Sequence, residues 1–149
     1  MYLVVGATGT LGGSIAKRLL AAGDRVRVLV REGSPARAAN PRTEPDELAG
    51  AGAEVVTGDL RDPASLRAAL AGVDVVVSTA SGTKRAPPDT TATVDAEGTA
   101  NLAAAAAASG VRKLVLVSAA GVAGDAPPGV FRDKWHGEEA VRASGVPYV

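Results

Sequence analysis

A doubly wound α/β fold, a parallel sheet with helices on both faces, is the architecture this chain predicts. Three observations predict it. Short apolar runs alternate with helical stretches along the 149 residues. The runs are nearly continuous in apolar residues, as in strands buried on both faces, with Arg27, Glu54 and Asp74 as the charged interruptions. Glycine or proline punctuates most junctions.

Each element can be justified in order from its residues. Tyr2-Leu3-Val4-Val5 is the first strand. A glycine turn follows over 6–13, then a helix from Ser14 to Ala22, with Ile15, Leu19 and Leu20 apolar and Lys17 and Arg18 polar. Val26 to Val30 is the second strand. Residues 32–45 carry Gly, Ser, Pro, Asn and charge and read as a loop. Pro45 to Gly50 allows a short helix, and Ala53 to Val56 a third strand. Asp62-Pro63 pairs an N-cap with proline at the first helical position, and that helix runs to Leu70 with Gly72 as its stop. Val73 to Val77 is the fourth strand. Thr83 to Thr91, with Pro87 and Pro88, is a loop. Thr93 to Ser109 reads as one long alanine-rich helix closed by Gly110. Leu114 to Val117 is the fifth strand, residues 119–130 a Gly/Pro-rich loop, and Arg132 to Ala143 a last helix closed by Gly145. Pro147-Tyr148-Val149 begins a sixth strand. Its abrupt end makes the chain read as a fragment of a longer protein.

Right-handed crossovers then favour the strand order 3-2-1-4-5, with the sixth strand beyond. A ligand crevice is expected at the C-terminal strand ends, where the order reverses between strands 1 and 4. The residues able to touch a ligand are those just after each strand.

Composition narrows the functions. Lysine plus arginine number 16, aspartate plus glutamate 16, and the formal net charge is zero. No basic excess points to nucleic acid or an anionic membrane surface. No apolar run approaches the roughly 18 residues of a membrane span. Cysteine is absent and His136 is the only histidine, which excludes disulfides, thiolate chemistry and a multi-histidine metal site. The expectation is a one-domain cytoplasmic protein acting on a small molecule.

The first turn carries the strongest chemical signal. In Gly6-x-x-Gly9-x-x-Gly12, glycines let the backbone turn tightly and approach a pyrophosphate, and the helix start offers unpaired N–H groups and partial positive charge. The spacing differs from the more familiar G-x-G-x-x-G. Following a strand and opening a helix, it predicts dinucleotide binding through Gly6, Thr8, Gly9, Thr10, Leu11 and Gly12. Arg31, after the second strand, would pair with a 2′-phosphate and favours NADP over NAD, with Gly33, Ser34 and Arg37 as helpers. Glu32 is the competing possibility, since an acid there would bond a ribose hydroxyl. Asp59 would bond the adenine amino group while Leu60 covers the ring. Thr79, Ala80 and Ser81 are small enough to let a nicotinamide ribose lie over the backbone.

Together Gly6-x-x-Gly9-x-x-Gly12, Gly58-Asp59-Leu60, the segment Asp95-Ala96-Glu97-Gly98-Thr99-Ala100-Asn101-Leu102 and the run from Val111 to Ser118 resemble the short-chain dehydrogenase/reductase superfamily. The nearest branch is the atypical, extended one that includes NmrA-like proteins. The resemblance implies a Rossmann fold, an NAD(P) cofactor and, in many members, hydride transfer or sugar-nucleotide chemistry. It also implies roles for Ser118 and Lys134, which match the family's catalytic serine and lysine. The family's tyrosine, four residues before that lysine, is Val130 here, with Phe131 beside it. Three functions follow as expectations: an NADP(H)-dependent oxidoreductase acting on a small carbonyl or quinone-like acceptor, an NAD(P)-sensing regulator acting through a protein partner, and a sugar-nucleotide epimerase or dehydratase.

Overall fold

The computed structural model describes residues 1–32, 43–83 and 85–149. Five parallel strands form one sheet: β1 (Tyr2–Val5), β2 (Val26–Val30), β3 (Glu54–Thr57), β4 (Val75–Ser78) and β5 (Lys113–Leu116). Their order is β3-β2-β1-β4-β5, as expected. Between them lie α1 (Thr10–Ala21), α2 (Pro45–Gly50), α3 (Pro63–Ala69), a π-helical segment (Ala92–Gly98) that runs into α4 (Thr99–Ala108), and finally α5 (Val130–Ala143).

Two cores flank the sheet, because alternate side chains of a strand point to opposite faces. Leu3 and Val5 of β1 face one side with Leu29, Val76 and Leu114, under Leu66, Leu102, Ala106 and Val141 of α3, α4 and α5 and Leu70 just after α3. Val4 faces the other side with Val28, under Ala16 of α1 and Leu48 of α2. Register ties β1 to both neighbours, with Val4 opposite Val28 and Val77. The C-terminal ends of β1, β2, β3 and β4 therefore finish along one edge. None of the helices in the described residues is long and apolar enough to cross a membrane.

Several boundaries differ from the sequence reading. The first helix begins at Thr10, not Ser14, because extended Gly9 (ψ 164°) caps it and Gly13 N–H already reaches Gly9 O at 2.8 Å. The second half of the glycine turn is thus the first helical turn. The helix expected over 93–109 is two segments, and the π-helical one is clamped from two sides. A Cβ on Gly98 would sit 2.8 Å from Leu60 Cβ, and one on Gly137 of α5 would sit 2.3 Å from Asp95 O. The last helix starts two residues early, at Val130 after Gly129. The expected sixth strand is an isolated parallel bridge, Leu114 to Tyr148. Its contacts are Leu114 N–H to Pro147 O (2.9 Å), Val149 N–H to Leu114 O (3.0 Å) and Leu116 N–H to Val149 O (3.0 Å). The stop at Gly110 stands as expected, its φ of +71° being open to glycine at little cost.

Candidate cofactor site

The β1–α1 turn is a packed knot. Gly6 adopts φ +84°, and a Cβ there would lie 2.7 Å from Thr79 Oγ1 and 2.9 Å from Ala80 N. A Cβ on Gly12 would lie 2.3 Å from Gly6 O and 2.6 Å from Thr79 Oγ1. Thr79 fills this gap between the strand ends, with its hydroxyl 3.3 Å from Val5 O and 3.4 Å from Gly6 O. Gly6 and Gly12 therefore hold helix against sheet by close approach, and Gly9 N–H closes the turn on Gly6 O at 3.0 Å. A residue that sequence reasoning missed, Thr43, seals the far side of α1. Its N–H is 3.3 Å from Thr8 O, and it leaves no space for a Cβ on Gly13.

α1 starts with no side-chain cap and no acidic residue in its first turn. Nothing anionic of the helix itself competes for the positive end of the dipole. Thr10 and half-exposed Leu11 belong to this first turn.

A cleft opens beside the turn. Among the described residues its wall includes Gly6, Thr8, Gly9, Arg31, Gly58, Asp59, Leu60, Thr79, Ala80 and Ser81. These come from the ends of four strands, so the topology gathers most of the residues singled out by position. Val94, Arg85 and Asp89 also line it, and the sequence reading named none of them. The crevice is where the order of the strands predicts it.

Three side chains are already committed. Arg31 forms a short ion pair with Asp89 Oδ1, so it is not an open cation awaiting a phosphate. The physical reason is the loop before the π-helix, which brings Asp89 against the end of β2. Asp59 is bound by Arg61, with Nε at 2.9 Å and Nη2 at 2.5 Å, and also accepts Arg61 N–H at 2.8 Å. That hydrogen bonding, by Arg61 above all, holds the Asp59 carboxyl below the usual range despite partial burial. The Arg31 hydrogen bond, reinforced by Arg61 and Arg85, does the same for Asp89. Leu60 is held by Asn101, whose Nδ2 donates to Leu60 O at 2.9 Å. Glu32 is exposed, and Gly33, Ser34 and Arg37 lie outside the described residues.

Lys134 is the third. Its Nζ donates to Asp95 Oδ1 at 2.8 Å, with side chains 13% and 2% exposed. Asp95 Oδ2 accepts Gly82 N–H at 2.8 Å and lies 3.3 Å from the Ser81 hydroxyl. Asp95 was quoted in the sequence only as part of a motif. The structure makes it the junction between the end of β4 and α5. Ser118 Oγ is buried and has no hydrogen-bond partner among the described residues, an uncommon state for a polar atom. Neither Ser118 nor Lys134 is among the residues lining the cleft beside Gly6.

The residues present fit a dinucleotide. The glycine knot keeps side chains out of the turn, the uncapped helix start suits a diphosphate, and the arginines stand at the adenosine end. Gly6, Gly9 and the first turn of α1 would hold the diphosphate. Arg31, Asp59 and Leu60 would meet the adenosine, and Thr79, Ala80 and Ser81 the nicotinamide ribose.

Comparison with known proteins also points to a nicotinamide dinucleotide. A profile of an NAD(P)H-binding family matches residues 6–149. The (4-alkanoyl-5-oxo-2,5-dihydrofuran-3-yl)methyl phosphate reductase of Streptomyces griseus is 41% identical over 149 residues, 99% of this chain and 45% of that protein. A photosystem II assembly factor of Cyanophora paradoxa is 34% identical over 146 residues, 98% of this chain and 42% of that protein. The crystal structure of Citrobacter sp. triphenylmethane reductase complexed with NADP(H) superposes with a TM-score of 0.74 at 26% identity, covering 99% of this chain and 47% of that one. The chain spans less than half the length of these relatives.

Proposed function

The chain belongs to the NAD(P)H-binding family, and on that premise we propose that it serves an oxidoreductase passing hydride from NADPH to a small carbonyl or quinone-like acceptor. The observation that carries this reading is the cleft, whose wall joins the glycine knot, Arg31 and the Thr79–Ser81 edge. The Streptomyces relative is named a reductase and the Citrobacter one a reductase complexed with NADP(H), which supports it.

Bound in the cleft, the reduced nucleotide supplies the hydride. The chain's own residues position it and manage the proton. The first-turn amides of α1 hold the diphosphate with no reorganisation, because the helix already orients them. Val130, at the position where the resemblance to the short-chain family calls for tyrosine, opens α5 and has no proton to give. Ser81, on the cleft wall, connects through Asp95 to Lys134. In this reading Lys134 is the proton source: Asp95 takes a proton from Lys134 Nζ and hands it to Ser81, whose hydroxyl gives its own proton to the oxygen of the reduced acceptor. A quinone-like acceptor suits such a site, since its ring stabilises the developing oxyanion and asks less of a protein acid.

NADPH oxidation followed by absorbance across quinones and simple ketones tests the proposal. Turnover with quinones is expected. Reduction of ketones with no quinone turnover would overturn the quinone preference and leave the small-carbonyl half of the proposal.

A second reading is favoured by Val130 and by the relative named an assembly factor. Here the protein binds the nucleotide as a sensor and acts through a partner. Binding that separates NADP+ from NADPH, with no turnover on any acceptor, is its signature, and steady NADPH oxidation would count against it.

A further inference from the structure

At the adenosine end of the cleft, three guanidinium groups surround one carboxylate. Asp89 Oδ1 takes the ion pair from Arg31 and stands 3.7 Å from Arg61 Nη1, while Oδ2 stands 3.8 Å from Arg85 Nη1. The Asp89 side chain is 11% exposed, yet Asp89, Arg31 and Arg85 all line the cleft. Asp59, also on the wall, is gripped by Arg61 and adds a second carboxylate to this network. Among the described side chains, three arginines here face two carboxylates. The Asp89 carboxylate thus engages Arg31 beside the end of β2, the kind of arginine that accommodates a 2′-phosphate in this fold.

We propose that Asp89 is a built-in counter-anion that competes with the 2′-phosphate of NADP(H) for Arg31, Arg61 and Arg85, and so sets how strongly the protein distinguishes NADP(H) from NAD(H). The inference rests on the reading that a nicotinamide dinucleotide occupies this cleft. A nucleotide with a 2′-hydroxyl leaves the Arg31–Asp89 pair intact. A 2′-phosphate brings a dianion against Asp89, draws the arginines to itself and expels the carboxylate by like-charge repulsion. Expulsion moves a small turn, since Asp89 N–H donates to Ala86 O at 3.0 Å and Thr93 Oγ1 to Pro88 O at 2.6 Å.

Calorimetric titration of the wild type and Asp89→Asn with NADPH and with NADH tests this. The variant should raise the preference for NADPH over NADH by about tenfold or more, the direction expected when a nearby like charge is removed. Asp89→Glu, which keeps the charge, should stay close to wild type. An unchanged or lower NADPH preference in Asp89→Asn, with both nucleotides still binding, overturns the inference alone. Failure of the wild type to bind either nucleotide overturns the cofactor reading and this inference with it. Hydrogen exchange on the wild type needs no variant. The Asp89 amide should exchange several times faster with NADPH bound than with NADH bound, and equal protection in the two complexes overturns the proposal.

Discussion

Arg31 shows how far one side chain's role depends on its neighbours. Its place after β2 makes it a natural reader of a 2′-phosphate, and its pairing with Asp89 means that any phosphate must compete for it. The pair still leaves a net positive cluster, so Arg31→Ala is expected to weaken NADPH more than NADH, by about 1.5–3 kcal/mol for a lost charged hydrogen bond. Titration calorimetry with both nucleotides checks this. Equal loss for the two would mean that Arg31 does not read the phosphate. Arg31 was legible from the sequence because a strand end has a predictable address in this fold. Asp89 was not, because a proline-rich loop has no periodicity from which to read where its carboxylate points.

The π-helical segment and α5 act as a unit. They meet so closely that Gly137 has no space for a side chain, its would-be Cβ falling 2.3 Å from Asp95 O. This contact brings Lys134, one helical turn before Gly137, onto the buried Asp95 carboxylate. Gly137→Ala should push the two segments apart. The expected cost is about 1–3 kcal/mol of stability, as for other overpacked sites, with a further drop in turnover as Lys134 loses Asp95. Denaturant unfolding and NADPH oxidation measured on the same variant check both. Full activity in a destabilised protein would show that the Lys134–Asp95 pair is structural only. Local pattern was enough to find α2, α3 and α5 to within a residue or two. It gave no sign of the π-helical segment, since Ala92–Gly98 carries no residue that dictates one winding over the other, and packing decides between them.

Charge is balanced over the whole molecule, and several carboxylates are tied to cations. Asp59 is held below its usual pKa first by Arg61, Asp89 by Arg31, and Asp74 by the amino terminus, 2.7 Å away. A depressed native pKa stabilises the folded state above the unfolded value and is lost as pH falls through the native one. These contributions are therefore complete at neutral pH and fade below about pH 4, where unfolded aspartates begin to take up protons. Asp89→Asn should flatten the fall in stability between about pH 4 and 2, because it removes one of those protons. Urea unfolding at several pH values measures the slope; an unaltered slope would mean Asp89 is not linked to acid stability. The order of the strands, the crevice and its glycine turn could be read along the chain, because strand runs, helix stops and right-handed crossovers are local or nearly local rules. The partners of Arg31, Asp59 and Lys134 could not. Each partnership depends on a side chain from a loop or helix whose direction is set by packing: Asp89 and Asp95 reach Arg31 and Lys134 across 58 and 39 positions, and even neighbouring Arg61 needed the turn after β3 to aim it.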